Sequence, residues 1–186
     1  LFLEIERYAA GYRPGPAPRA LGHMGLAVYE ACITGMPEYN SLKNRYAGLE
    51  IPVVENDKEY YWPAVVHGVY SSMMPRFFPN TASNLDSKMK LLIKRFNEEL
   101  KEEAGNDVFN RSLLHGQKVG DAVWQWSSTD SYAHDAYLDP FKNYDWAQAF
   151  RRDGDWVPTV PGPPQPMYPH WGKVRTFAIP EEMKLS

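Results

Sequence analysis

Histidines are the side chains of this 186-residue sequence best suited to acid–base chemistry or metal binding. They are His23, His67, His115, His134 and His170. No two of them have the spacing of the helical zinc motif, in which two histidines flank a catalytic glutamate. The spacing therefore predicts no metal site.

One histidine nevertheless belongs to a local group of oxygen and nitrogen donors. His134 lies close to Asp135 and Asp139, and Pro140 follows directly. Turn residues of this kind before a proline favour a polar turn, with a metal site as the alternative.

Nucleophilic catalysis has two candidates. Ser127, Asp130 and His134 supply a nucleophile, an acid and a base, but a triad is assembled by geometry and not by proximity in sequence. Cys32 is the only cysteine, so it excludes an intrachain disulfide and a cysteine-rich zinc site. Its position on an apolar helix face predicts a buried structural thiol, with a nucleophile as the alternative.

Charge and motifs exclude several classes of function. The 20 basic and 23 acidic residues are scattered and leave a net charge of -3, so no basic surface for nucleic acid is predicted. Phosphate-cradling and dinucleotide fingerprints are absent from the sequence. No segment of the sequence approaches the ~20 consecutive apolar residues of a membrane-spanning helix. We expect no cofactor bound by this chain itself.

Tryptophans offer a different kind of site. Trp62, Trp124 and Trp126 could stack on sugar rings. Aromatic rings at helical spacing in a sequence with 14% aromatic residues are more commonly core, and this interpretation is preferred.

Helical spacing of apolar residues predicts an all-α fold, a helical bundle that positions these side chains. After a first helix broken by Pro14, helices are expected at 17–34, 62–74, 83–105 and 107–129. Gly35 is the expected end of the second helix and Asp107 the expected cap of the last.

The helix at 83–105 has the clearest amphipathic pattern. Its apolar residues are expected to be buried on one side, whereas Lys94, Glu98 and Lys101 are expected to be exposed. The residues expected in the core are Met89, Leu92, Ile93, Phe96 and Leu100.

Two glycines stand four residues apart in the last predicted helix. Gly116 and Gly120 remove side chains from one stripe. Because glycine inside a helix costs about 1 kcal/mol relative to alanine, a close approach by another helix is predicted there.

The sequence changes character after Ser131. Seven of the 16 prolines lie between Pro158 and Pro180, mixed with aromatic residues. Such a segment cannot form long helices or central strands. It predicts an extended C-terminal strap rich in proline and aromatic residues, so the expected domain has a bundle at 1–130 and an irregular strap at 131–186.

Several short segments occur in a specific order and spacing. They are residues 6–8, 11–14, 17–21, 25–31, 61–64, 115–116, 119–122, 126, 130, 154–159, 169–175 and 177. Together they resemble the amino-terminal helices of vanadium-dependent haloperoxidase-like proteins, in the phosphatidic acid phosphatase type 2 superfamily.

The resemblance implies that the chemistry resides in a later, catalytic half. That half has a lysine followed seven residues later by an arginine and a proline, and then a Ser-Gly-His segment. Here Pro180 stands seven residues after Lys173, Ala149 stands seven after Lys142, and no Ser-Gly-His occurs. No catalytic residue is therefore predicted in this chain, which should be inactive alone; vanadate or phosphate is implied for the full-length protein.

Partners follow from the same resemblance. The expected partner is the missing C-terminal catalytic half, or a second copy through self-association. The contact surface predicted for the missing half consists of Trp156, His170, Trp171, Lys173 and Phe177. The full-length protein would be a haloperoxidase or an acid phosphatase, in a periplasmic or secreted location. A non-catalytic helical binding module, for example for glycans, is the alternative.

Overall fold

The all-α prediction is confirmed. The computed structural model describes residues 1–149, 152–159, 162 and 165–184, and every regular element in these ranges is helical. The α-helices are α1 (Phe2–Tyr8), α2 (Pro16–Cys32), α3 (Trp62–Phe77), α4 (Ser83–Ala104), α5 (Asn106–Ser128) and α6 (Trp146–Ala149).

The chain divides into two compact units, Leu1–Thr129 and Asp130–Ser186. The first contains α1 to α5 and most of the buried side chains. Within the described ranges, no helix combines the length and hydrophobicity needed to cross a membrane.

Helices α3 and α5 pack backbone to backbone through glycines, as the glycine spacing predicts. A Cβ on Gly116 would overlap the carbonyl of Val65, and a Cβ on Gly68 would overlap the carbonyl of Leu113. On Gly120 it would lie 2.5 Å from the hydroxyl oxygen of Ser72. The glycines on both helices therefore form the closest seam of the first unit.

Two predicted helix ends were wrong. Helix α2 ends at Cys32, and a 3₁₀ turn at Ile33–Gly35 follows. Gly35 is not the helix cap; a Cβ there would collide with the indole of Trp62, so the glycine leaves room for that ring.

The cap predicted for α5 is also wrong. The N-cap is Gly105, whose φ of 75° favours glycine, and Asp107 lies inside the first turn. There its carboxylate is favourably placed against the positive end of the helix dipole.

Helix α4 has the predicted period but not the predicted burial. Met89 is buried, whereas Leu92, Ile93 and Leu100 are half-buried. Phe96 is 37% exposed, so the prediction that it belongs to the core is wrong. The physical reason is that the apolar face of α4 is only partly covered, since the seven-residue α1 is too short to extend along the 22-residue α4.

The second unit is largely irregular, as expected for the proline-rich segment. Its described residues contain α6 and 3₁₀ turns at Ala136–Leu138, Trp171–Lys173 and Glu181–Met183. Residues 150–151, 160–161, 163–164 and 185–186 of the predicted strap lie outside the described ranges.

Candidate functional site

An apolar groove of about 460 Å³ lies between α3 and α4, with the start of α1 at one side. Its wall includes Phe2, Val66, Met74, Leu92 and Phe96. Sequence reasoning missed the groove because it assumed that the apolar face of α4 is covered. The available signal was the short first helix, which could not cover a face of this length.

His67, which lines the groove, has a polar partner in Asn97. The Nε2 atom of His67 lies 2.9 Å from Oδ1 of Asn97. Burial lowers the pKa of His67, and the bond to Asn97 opposes that shift only in part. No charged side chain lines the groove among the described residues, so it offers apolar contact area and a neutral imidazole.

His115 links α5 to the end of α2. Its Nε2 atom lies 3.1 Å from the carbonyl oxygen of Ala31 and donates to it as N–H, and its ring packs edge-on against Tyr60. Burial is the main cause that lowers the pKa of His115, with Lys118 acting in the same direction. A neutral, buried histidine that bonds to backbone has a structural role here.

Glu30 is a buried carboxylate in the same region. Its two oxygens accept hydrogen bonds from the Leu42 N–H at 2.6 Å and the Ser41 hydroxyl at 2.7 Å. Both bonds are local to the loop after α2. The carboxylate therefore fixes that loop to the helix.

His134, Asp135 and Asp139 lie in consecutive turns. The His134 N–H donates to the carbonyl of Asp130 at 2.9 Å, and Asp139 ends a 3₁₀ turn with a left-handed φ of 50°. In the described residues, no group of three or more His, Cys, Asp or Glu side chains could hold a metal ion.

Both candidate nucleophiles, Ser127 and Cys32, are at least partly buried. The buried Ser127 hydroxyl donates to the carbonyl of Trp124 at 2.7 Å, and the Asp130 carboxylate accepts the Arg175 N–H at 2.8 Å. Cys32 is half-buried, and burial raises the pKa of its thiol. The thiol stays protonated at neutral pH, which disfavours nucleophilic attack.

The tryptophans do not form one stacking platform. Trp126 is 5% exposed, and its indole N–H donates to the Ala47 carbonyl at 3.0 Å. Trp62 stacks on Tyr60, and the guanidinium of Arg76 lies 5.4 Å from the ring centre of Trp124. The core interpretation holds for Trp126, which cannot stack on a sugar.

The predicted contact surface in the second unit is partly occupied by contacts within that unit. His170 is surrounded by the rings of Tyr132, Phe141 and Tyr144, with centroids 4.5 to 5.4 Å away. The Lys173 ammonium lies 5.3 Å from the ring centre of Tyr132. These contacts build a small aromatic core around His170.

Other members of that surface differ in exposure. Trp156 packs edge-on against Trp146 and is 39% exposed, while Trp171 packs against Tyr168. Phe177 is half-buried. Trp156 therefore has the largest exposed area of the predicted aromatic contacts that remains for a partner.

Vanadate and phosphate require several convergent cationic donors. The buried polar residues in the described part of the chain are His23, Glu30, Ser112, His115, Ser127 and Asp130, without a lysine or arginine. Arg13 and Arg76 pair with carboxylates at the surface. Among the described residues, no buried lysine or arginine is therefore available to a tetrahedral oxyanion.

Comparison with known proteins identifies the fold. No protein-family model and no curated protein sequence matches the chain. A solved structure matches, described as the first bacterial vanadium-dependent iodoperoxidase. The match has 22% sequence identity and a TM-score of 0.66, and covers 96% of this chain but 40% of that one. This chain therefore has a haloperoxidase-like helical fold.

Proposed function

We propose that this chain is the helical scaffold of a haloperoxidase-like protein of the phosphatidic acid phosphatase type 2 superfamily. Its catalytic residues would lie in a half of the protein beyond these 186 residues. The supporting observation is the fold match that spans nearly the whole of this chain and 40% of the iodoperoxidase.

The lack of a buried lysine or arginine among the described residues supports this proposal. In the full-length protein, bound vanadate would activate peroxide for halide oxidation, and this chain would support the half that binds it. Close packing of glycines joins α3 to α5, and the hydrogen bonds of Glu30 hold the loop after α2 against that helix. The exposed face of Trp156 is the proposed contact for the partner half.

Turnover assays test the proposal. The 186-residue chain and a version extended into the missing half are each assayed with vanadate, halide and peroxide, and with a phosphate monoester in the absence of vanadate. We expect activity only in the extended protein. Halide oxidation would identify a haloperoxidase, whereas monoester hydrolysis would identify an acid phosphatase.

Turnover by the 186-residue chain alone would contradict the proposal. An extended protein that is inactive in both assays would also count against it. Trp156→Ala in the extended protein tests the contact surface, with Val157→Ala, at a neighbouring residue that is 63% exposed, as the matched control. We expect only the tryptophan variant to weaken the association between the halves.

A further inference from the structure

The outer face of α4 carries an exposed leucine within a charged stripe. Leu91 is 69% exposed, although it lies in the middle of the helix. Its stripe repeats at intervals of four and three residues, the spacing of a coiled-coil seam. All its members are exposed: Asn84, Lys88, Leu91, Arg95, Glu98 and Glu102.

Charge is segregated along the same helix. Residues 83–95 contain four basic side chains and one acidic one, and residues 96–104 contain four acidic and one basic. The basic residues are Lys88, Lys90, Lys94 and Arg95, and the acidic ones are Glu98, Glu99, Glu102 and Glu103.

This distribution gives the isolated helix little stabilisation. Asp86 in the first turn and Lys101 in the last turn suit the helix dipole, but most of the charge between them has the reverse order. The pair Asp86–Lys90, at 2.7 Å, has the favourable orientation, whereas Lys94–Glu98 and Arg95–Glu99, at 3.9 and 3.4 Å, have the basic residue first. The separation of charge into a basic and an acidic half is therefore not explained by the helix alone.

We propose that this face is a docking surface for a second copy of the chain, with the two α4 helices antiparallel across a two-fold axis. An antiparallel pair places the basic half of each helix against the acidic half of the other. One sequence with opposite charges in its two halves is thus complementary to itself, which a two-fold interface requires. The proposal does not depend on the proposed function.

The exposed stripe repeats every seven residues, and this repeat gives the register of the two antiparallel α4 helices. Lys88 faces the partner's Glu98, and Leu91 packs against the alkyl stem of the partner's Arg95. Leu91 and Leu92 of both copies then surround the two-fold axis. Lys88 also contacts Glu4 of its own chain at 3.4 Å, an exposed pair that leaves the ammonium largely accessible.

Charge reversal tests this register through sedimentation velocity of the full chain over a range of concentrations. The variants Lys88→Glu and Glu98→Lys should each raise the dimer dissociation constant about tenfold, because two attractive pairs become repulsive. Mixing the two variants should restore the dimer, since each then meets its complement. The double variant should also dimerise.

Three controls separate the interface from folding. Glu4→Gln removes the same intrachain ion pair as Lys88→Glu and should leave the dissociation constant unchanged. Leu91→Asp should abolish dimerisation, whereas Leu114→Asp, at a leucine of α5 that is 50% exposed, should not. Circular dichroism checks that each variant keeps the helical content of the parent chain.

The restored dimer in the mixture is the expected result. A chain that stays monomeric at several hundred micromolar would overturn the proposal, as would a dimer insensitive to Leu91→Asp. The proposal would also be overturned if the region around Leu91 were protected from amide hydrogen exchange only in a longer, monomeric protein. That result would show that the added residues, and not a second copy, cover this face.

Discussion

Helices α4 and α5 are neighbours in the sequence, of nearly equal length and both amphipathic, yet they are buried to very different extents. Helix α5 buries residues along its whole length, from Phe109 to Trp126, whereas α4 buries only Leu85 and Met89 near its start. Apolar periodicity shows which face of a helix is hydrophobic. Whether that face is covered depends on the neighbouring elements.

The difference originates in the partners of the two helices. Gly116 and Gly120 allow α3 to lie directly against α5, so this face is excluded from water. Helix α4 instead borders the groove, and Phe96 lines it while remaining partly exposed. The first unit thus has one closely packed seam and one partly open side.

A large loss of stability is expected where the packing of α3 against α5 is broken. Gly116→Leu would place a side chain against the backbone of Val65 and Val69, which cannot move without displacing α3. The free energy of unfolding should fall by about 3 kcal/mol, and Gly120→Leu should cost ~1 to 3 kcal/mol. Urea denaturation followed by circular dichroism measures both.

Gly25→Ala in α2 is the matched control. A Cβ at Gly25 meets no atom within 4 Å, so alanine should stabilise the helix by about 0.5 to 1 kcal/mol. A neutral Gly116→Leu variant would show that the two helices do not pack as described.

A second pair of variants compares the covered and uncovered parts of α4. Met89→Ala should cost about 2 to 5 kcal/mol, because Met89 is 4% exposed. Phe96→Ala should cost only about 1 kcal/mol, since a partly exposed ring loses less on truncation. Equal losses of several kcal/mol in both variants would indicate that the groove is closed in solution.

Acid should destabilise the first unit through two histidines. The pKa values of His67 and His115 are lowered in the folded chain, so the unfolded chain binds more protons as the pH falls below about 6.5. The free energy of unfolding therefore has its full value above that pH. Below it, this free energy declines by at most about 1.4 kcal/mol per pH unit for each histidine.

His115→Gln and His67→Gln identify the source of this pH dependence. Each should reduce the slope of unfolding free energy against pH between about pH 6.5 and 5. Unchanged slopes in both variants would show that other groups cause the acid destabilisation.

The helical fold could be predicted largely from sequence. Apolar spacing located α2 to α5 to within a few residues, and the Gly116 and Gly120 pair indicated the close helix contact. The burial of Phe96 could not be predicted, because coverage depends on three-dimensional neighbours. The prediction that Gly35 caps α2 failed for a related reason. Glycine is needed there to leave room for the ring of Trp62, which is distant in the sequence.

Less of the candidate site could be predicted. The sequence indicated that Trp126 belongs to the core and that His134 lies in a turn. It did not show the groove, because no single residue type marks a gap between helices. The carboxylate of Glu30 was not recognised as a loop clamp, since its partners Ser41 and Leu42 have no distinctive pattern.

Equilibrium dialysis of vanadate against the 186-residue chain tests the proposed function most directly, because the proposal places the oxyanion site outside these residues. We predict no saturable binding at vanadate concentrations that load an extended, active protein. Binding of one vanadate per chain, abolished by Lys173→Ala or His134→Ala, would contradict the claim and place the site within these residues.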